Sequence, residues 1–328
     1  MSISNPVPAM LRGLKTTLCS AAVCALLLVG PAAARQGTEP ASAPPVPLLW
    51  KVSDADNAVY LLGSFHLLKP SDYPLSPDVD TAFAAADRVV FEIAPEEMGS
   101  PALGMQMGQA ALRTDGTQLN SELPPETVAA LDAWVQENAS HLAAMQMNGQ
   151  VLQMFEPWFV GLMVTIVELT KYGLDPAIGL DTHMAERART ANKPTSGLET
   201  GAEQIAFLDG MDPAEQLQFL QESLKSGAEG QEAVEKLHNA WRAGDADTLW
   251  REMALEMRDQ FPKLYHRINV ERNDAWVPKI AAHLEAPGSD DTLVVVGALH
   301  LLGEDGVVEK LRERGYEVER ICSACATR

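Results

Sequence analysis

Basic side chains are scarce. Against 45 Asp and Glu the chain carries 25 Lys and Arg in 328 residues, a formal charge of −20. Phosphate contacts need clustered Lys and Arg, so binding nucleic acid through a basic face is excluded. Cysteine is scarce too, with four residues in all. No apolar run reaches the roughly 20 residues that a spanning helix needs. Ala21 to Val29 is too short, and so is Trp158 to Val167, which Glu156 and Glu168 flank. No HExxH occurs, so the chain is not a zincin of that type, and no solenoid or propeller repeat stands out. Apolar residues are not scarce. They make up 46% of the chain, with 21% charged, the composition of a folded globular protein of one large α/β domain or two small ones.

The first 34 residues read as a Sec-type signal peptide. Arg12 and Lys15 form the basic start, Ala21 to Val29 the apolar stretch, and Ala32-Ala33-Ala34 an A-x-A cleavage site. The expected product is exported, periplasmic or secreted, with no membrane span after cleavage. Removal of the signal also removes Cys19 and Cys24. Cys322 and Cys325 remain, a C-x-x-C close to the end of the chain. A local disulfide suits an oxidising compartment, with free thiols or a redox or metal role as alternatives. Residues 35–47 are rich in Pro, Ala and Ser and read as a flexible leader, and 322–328 as a tail.

The fold is expected over 48–321, as a single domain. Leu49–Val52 and Ala58–Leu62 read as strands joined by a turn at Asp54–Asn57. Ser76 is placed to cap a helix over Pro77–Ala86, and Arg88–Ile93 (RVVFEI) reads as a buried strand. Residues from about 120 to 285 are mostly helical, including a dense apolar helix within Gln150–Tyr172. Pro194–Leu198 is a short strand, and Arg267–Leu284 a helical region expected to be interrupted near Pro278. Asp291–Val296 is a β-branched run suited to a strand covered on both faces. A helix over Gly306–Arg314 and a strand over Tyr316–Ile321 follow.

The two ends share a pattern. Tyr60-Leu-Leu-Gly63-Ser-Phe-His66-Leu-Leu matches Val295-Val-Gly297-Ala-Leu-His300-Leu-Leu as apolar-apolar-Gly-x-x-His-Leu-Leu. Each copy is followed by a loop, a helix and a strand. One GxxH is a weak signal, whereas two in matching contexts indicate an internal duplication around a long helical insert. The expected fold is therefore α/β, a mixed central sheet built from two related GxxH-containing halves. Ligands gather beyond the carboxyl ends of strands in such sheets, and glycine lets the backbone approach closely there. His66 and His300 can then converge on one divalent ion, since imidazole is a common metal ligand. Glu92, a carboxylate on an apolar strand, is the natural third member, because burying it without a partner is costly. Both histidines bonding backbone carbonyls is the structural alternative.

These features resemble the TraB/PrgY/GumN family, within a wider group holding Tiki proteins, erythromycin esterase-like proteins and ChaN haem-binding lipoproteins. The resemblance rests on both GxxH units, Phe91-Glu92, Pro157-Trp158, Gly179-Leu-Asp181, Lys193-Pro194…Leu198-Glu199-Thr200…Gln204 and Arg272-Asn273. It implies a metal-dependent hydrolase of Tiki type acting on a peptide or protein, with Mn or Co favoured and Zn possible. His66, His300 and Glu92 would hold the metal, with Glu92 as the alternative proton acceptor. Arg272 or Asn273 would stabilise the oxyanion, and Asp181, Glu199 and Gln204 would stand behind them. Simpler roles are open: a helix cap for Asp181, a carboxylate at a helix N-terminus for Glu199, and a structural ion pair for Arg272. His141, His183, His238, His266 and His283 read as exposed or structural, His183 being the nearest to the site. A non-enzymatic binder of haem or peptide is the competing function, supported by Met105, Met107, Met145, Met147 and Met154 unless these are core. An accessory role in envelope polysaccharide production rests on analogy alone.

Overall fold

The structure is a computed structural model that describes residues 43–327. The expected signal peptide and most of the leader lie outside the described residues. Six strands form one sheet: β1 (Leu49–Ser53), β2 (Ala58–Ser64), β3 (Arg88–Ile93), β4 (Thr195–Glu199), β5 (Thr292–Gly297) and β6 (Glu317–Arg320). Their order is β4-β3-β5-β2-β1-β6. β1 pairs antiparallel with β2 and β6, whereas β2, β5, β3 and β4 run parallel to one another. The sheet is mixed and the chain α/β, as expected.

The two GxxH-bearing strands are neighbours at the middle of this sheet. Ser64 of β2 pairs with Gly297 of β5. Chain from β2 leads to β3 on one side, and chain from β5 leads to β6 on the other. Two parallel strands whose connections depart in opposite directions open a crevice at their carboxyl ends. The last residues of β2, β3, β4 and β5 meet there. Every residue of β5 is buried, which explains why its sequence is apolar and β-branched rather than alternating.

Helices cover the sheet. Ser76 caps Pro77–Ala85 by accepting from the Asp78 amide at 3.2 Å. The apolar segment forms the helix Pro157–Lys171, begun by Pro157, separate from a short turn at Gly149–Leu152. It packs on Pro213–Glu229 and shares a second apolar core with Leu131, Trp134, Leu142 and Leu152. Among the described residues, no helix is long and apolar enough to cross a membrane.

Several local expectations need correction. Pro278 does not interrupt its helix, which runs continuously over Glu271–Leu284. The irregularity lies before it, where His266–Val270 is a π-helical turn. A second π-helical segment covers Trp250–Leu255. The leader docks earlier than Leu48. Pro45, Val46 and Pro47 are buried, and the Val46 amide donates to the Arg242 carbonyl at 2.7 Å. At the other end a disulfide joins Cys322 to Cys325.

Candidate functional site

The carboxyl edge of the parallel strands carries a compact polar cluster. β2 delivers His66, β3 Glu92, β4 Glu199 and β5 His300, while the helix Glu271–Leu284 supplies Arg272, Asn273 and Trp276. Arg272 is the hub. Its Nε donates to Glu199 Oε2 at 3.2 Å, and Nη2 donates to Glu92 Oε2 at 2.6 Å and Glu199 Oε1 at 2.7 Å. Its Nη1 donates to His300 Nε2 at 3.0 Å and the Ile268 carbonyl at 3.4 Å. A guanidinium has five N–H donors, and all five are engaged. Trp276 supports the same group, lying 4.6 Å from the guanidinium and donating from Nε1 to Glu199 Oε2 at 3.1 Å. Gln204 bridges Glu199 and Glu92 from Nε2 at 2.9 and 3.3 Å.

The two histidines are anchored differently. His66 Nδ1 faces Asp181 Oδ2 at 2.7 Å, and the same oxygen accepts from Ser64 Oγ at 2.5 Å. Asp181 is therefore no cap; Gly179 occupies that position. His300 Nδ1 faces Asn273 Oδ1 at 2.8 Å. Electrostatics separates the rings further. Burial works against charge on His66, yet the Asp181 and Glu92 carboxylates outweigh it and raise its pKa to about 9. Burial and the Arg272 charge push His300 down to about 3. Burial raises Glu92, but Arg272 and the histidines reverse this and hold it at about 2. Glu199 is raised, because burial outweighs Arg272.

Glycines shape the crevice. A Cβ on Gly297 would stand 3.2 Å from both Glu92 Oε1 and His66 Nε2, so these two atoms face one open cradle. The Gly297 amide donates to Glu92 Oε1 at 2.7 Å. At Gly179 a Cβ would come within 1.8 Å of the His66 carbonyl oxygen, which accounts for glycine in the Gly179-Leu-Asp181 motif.

All eight residues singled out from sequence for the metal, the chemistry or their support meet in this cluster: His66, Glu92, Asp181, Glu199, Gln204, Arg272, Asn273 and His300. Arg272 and Asn273 have no N–H directed at the cradle, because Asn273 Nδ2 donates to the Asp305 carbonyl at 2.8 Å. For a divalent ion, the available donors are His66 Nε2 and Glu92 Oε1. Glu92 and Glu199 share one guanidinium and Asp181 stands behind His66, so carboxylates outnumber cations around the pair, which suits a bound cation. His300 is not a third donor, since Arg272 binds its Nε2. Accordingly, no group of three His, Cys, Asp or Glu side chains is placed to hold a metal among the described residues.

Other candidates lie elsewhere. The His183 ring lies tilted against Tyr73 with centroids 4.4 Å apart, and buried His238 binds Asp72 at 2.7 Å. Met105 and Met154 are exposed, whereas Met107 is core. Sequence reasoning missed Ser64, Trp276 and Asp305. Trp276 was accessible in principle, since it shares a helix face with Arg272 at i,i+4.

The protein is thus of the mixed α/β class, with β2 and β5 side by side and Glu92 at the same sheet edge. The TraB/PrgY/gumN family model matches residues 48–320, and the chain belongs to that family. It is similar to the protein named Metalloprotease TIKI1 of Danio rerio, 24% identical over 311 residues, covering 83% of this chain and 62% of the relative. This chain therefore spans less than two thirds of that relative's length. It is also similar to Uncharacterized protein YbaP of Escherichia coli and of Shigella flexneri, each 23% identical over 255 residues, covering 77% of this chain and 87% of the relative. No solved structure matches.

Proposed function

We propose that this chain is an exported hydrolase that cleaves peptide bonds at the cradle over Gly297. The observation that carries the proposal is the approach of His66 Nε2 and Glu92 Oε1 to one point, each within 3.2 Å of the Cβ position that glycine leaves empty. Family membership and the likeness to a metalloprotease agree with it. His66 and Glu92 are the residues that would hold a divalent ion, Mn or Co being the metals that the family resemblance in the sequence implies. When bound, the ion would lower the pKa of a water and polarise a carbonyl. The side chains orient the rest. Asp181 holds the His66 ring with Nε2 toward the cradle. Arg272 and the Gly297 amide hold Glu92, whose Oε1 is the basic oxygen nearest a water there. The signal-like first 34 residues support export.

The test is a peptide-substrate screen with Mn, Co or Zn, alongside metal titration of wild type, His66→Ala and Glu92→Ala. Hydrolysis and stoichiometric binding lost in both variants are expected. Binding that persists unchanged in both variants, or cleavage equal to wild type, defeats the reading. The exposed Met105 and Met154 favour a second reading, a periplasmic binder of haem or apolar peptide. A Soret band with added haem and no metal-dependent cleavage would establish it in place of the first.

A further inference from the structure

Asn273 lies behind His300, away from the cradle. Its side-chain amide has one donating and one accepting end, and the surroundings decide which faces which way. The Asp305 backbone carbonyl can only accept, and it lies 2.8 Å from the amide, so the nitrogen must face it. A second acceptor, Asn269 Oδ1, stands 3.5 Å from the same nitrogen. The oxygen of Asn273 therefore faces His300 Nδ1 at 2.8 Å. An amide oxygen cannot donate, so Nδ1 must carry the proton. On the other side of the ring Arg272 Nη1, which can only donate, lies 3.0 Å from Nε2. Nε2 must offer its lone pair. The two constraints act on opposite ring nitrogens, one through the Asp305 carbonyl and one through the Arg272 guanidinium, and give the same tautomer.

We infer that Asn273 is a positioning residue that locks His300 as the neutral Nδ1–H tautomer, so that the Nε2 lone pair holds Arg272 against Glu92 and Glu199. The two GxxH histidines are thus set apart by what stands behind them. His66 has a carboxylate, Asp181, which can balance a positive charge on the ring. His300 has an amide, which cannot, and a guanidinium in front of it. The fixed neutral ring is the acceptor that keeps Nη1 turned from the cradle, and through Arg272 it sets the orientation of Glu92. Asn273 acts on the reaction through His300 and Arg272, and donates nothing to an oxyanion. The burial of this layer, with Asn273 at 0% and His300 at 2% exposure, keeps water from substituting for either partner.

The inference shares its site with the proposed hydrolase, but its test needs no turnover. Long-range proton–nitrogen spectra of 15N-histidine-labelled protein distinguish the two neutral tautomers and the imidazolium. The His300 signals are identified by their absence in His300→Gln. Wild type should show His300 protonated at Nδ1 and bare at Nε2 throughout pH 5 to 8. Asn273→Ala should lose the lock, with the Nε2–H tautomer or the imidazolium appearing in that range. Asn273→Asp, which places a carboxylate there, should favour the imidazolium. A wild-type His300 protonated at Nε2, or an Asn273→Ala spectrum identical to wild type, overturns the inference. If Asn273→Ala fails to fold, the wild-type tautomer alone still decides. Absence of peptide cleavage would count against the hydrolase and leave this result standing.

Discussion

Asp181 Oδ2 lies 2.7 Å from His66 Nδ1 and accepts from Ser64 Oγ at 2.5 Å, so one oxygen joins the second and fourth residues of the first GxxH unit. Asp181 comes from the start of the helix Leu180–Thr190, far away in sequence. Its position there depends on Gly179, which alone permits that turn to pass over the His66 carbonyl. A carboxylate behind an imidazole fixes the ring orientation and raises the basicity of the outer nitrogen.

Asp181→Ala should therefore weaken Mn or Co binding by about 10- to 100-fold, the usual effect of removing such a support. Ser64→Ala should produce a smaller fall, because Asp181 keeps its bond to His66. Isothermal titration of both variants checks the order. Equal affinities for wild type and Asp181→Ala would mean that the aspartate merely packs.

Arg272 should matter as much to folding as to chemistry. It is 4% exposed and satisfies Glu92 and Glu199, which are 12% and 5% exposed. Arg272→Ala leaves two buried carboxylates without a cation, a change that costs about 3–5 kcal/mol. Arg272→Lys should restore little of this. A lysine ammonium lacks the planar fork that reaches two carboxylates and His300 together. Urea denaturation of both variants measures the loss, and wild-type stability in Arg272→Lys would refute the fork argument.

A second buried ion cluster ties the loop after His66 to the helix Gln231–Ala243. Asp72 is 0% exposed and accepts from His238 Nε2 at 2.7 Å, from the Lys69 amide at 2.7 Å and from Arg242. Tyr73 is the other titratable group beside it. Burial alone would raise the Asp72 pKa, but these bonds and the His238 charge lower it below the usual carboxylate range. A depressed folded pKa contributes stability above the unfolded value, near 3.9, and the contribution is lost as pH falls through the folded one. Asp72→Asn should thus cost about 1.5–3 kcal/mol at pH 7, the range for a hydrogen bond to a charged group. The gap from wild type should narrow below pH 4. Urea midpoints from pH 7 to pH 3 test this, and a gap independent of pH would exclude the carboxylate as its source.

The sequence carried the frame of this site more clearly than its wiring. The repeated GxxH pattern indicated two equivalent strand ends, and β2 and β5 are adjacent and parallel. Glu92 was conspicuous as a charge within RVVFEI, because an isolated buried carboxylate requires a partner. The identity of that partner was not legible. Arg272 reaches Glu92 across 180 positions, and its helix is entered through a π-helical turn that leaves no periodicity signal. The equivalence of the two histidines misled for the same reason. Matching motifs place two rings at one edge, but Asp181 and Asn273, which make the rings unlike, come from unrelated helices. Pro278 shows the converse error. A proline inside a helix removes one hydrogen bond, and burial of Trp276, Val277 and Ile280 outweighs that loss.

Gly297 offers the sharpest separation of site from scaffold. Its backbone does not require the left-handed region, so alanine is compatible with the local conformation. The added methyl would nevertheless stand 3.2 Å from Glu92 Oε1 and His66 Nε2 and 3.5 Å from His300 Cδ2. These contacts are tight without being impossible, and crowding of this kind costs about 1–3 kcal/mol. The effect on function should be much larger, because the methyl takes the space where water or an ion would lie. A displacement of about 1 Å between reacting groups is enough for roughly a 100-fold loss. Gly297→Ala should therefore remain folded by circular dichroism, keep most of its urea resistance, and lose metal binding and any peptide cleavage together. Full binding and cleavage in a folded Gly297→Ala protein would show that the chemistry lies away from this cradle, and would leave the cluster around Arg272 a structural one.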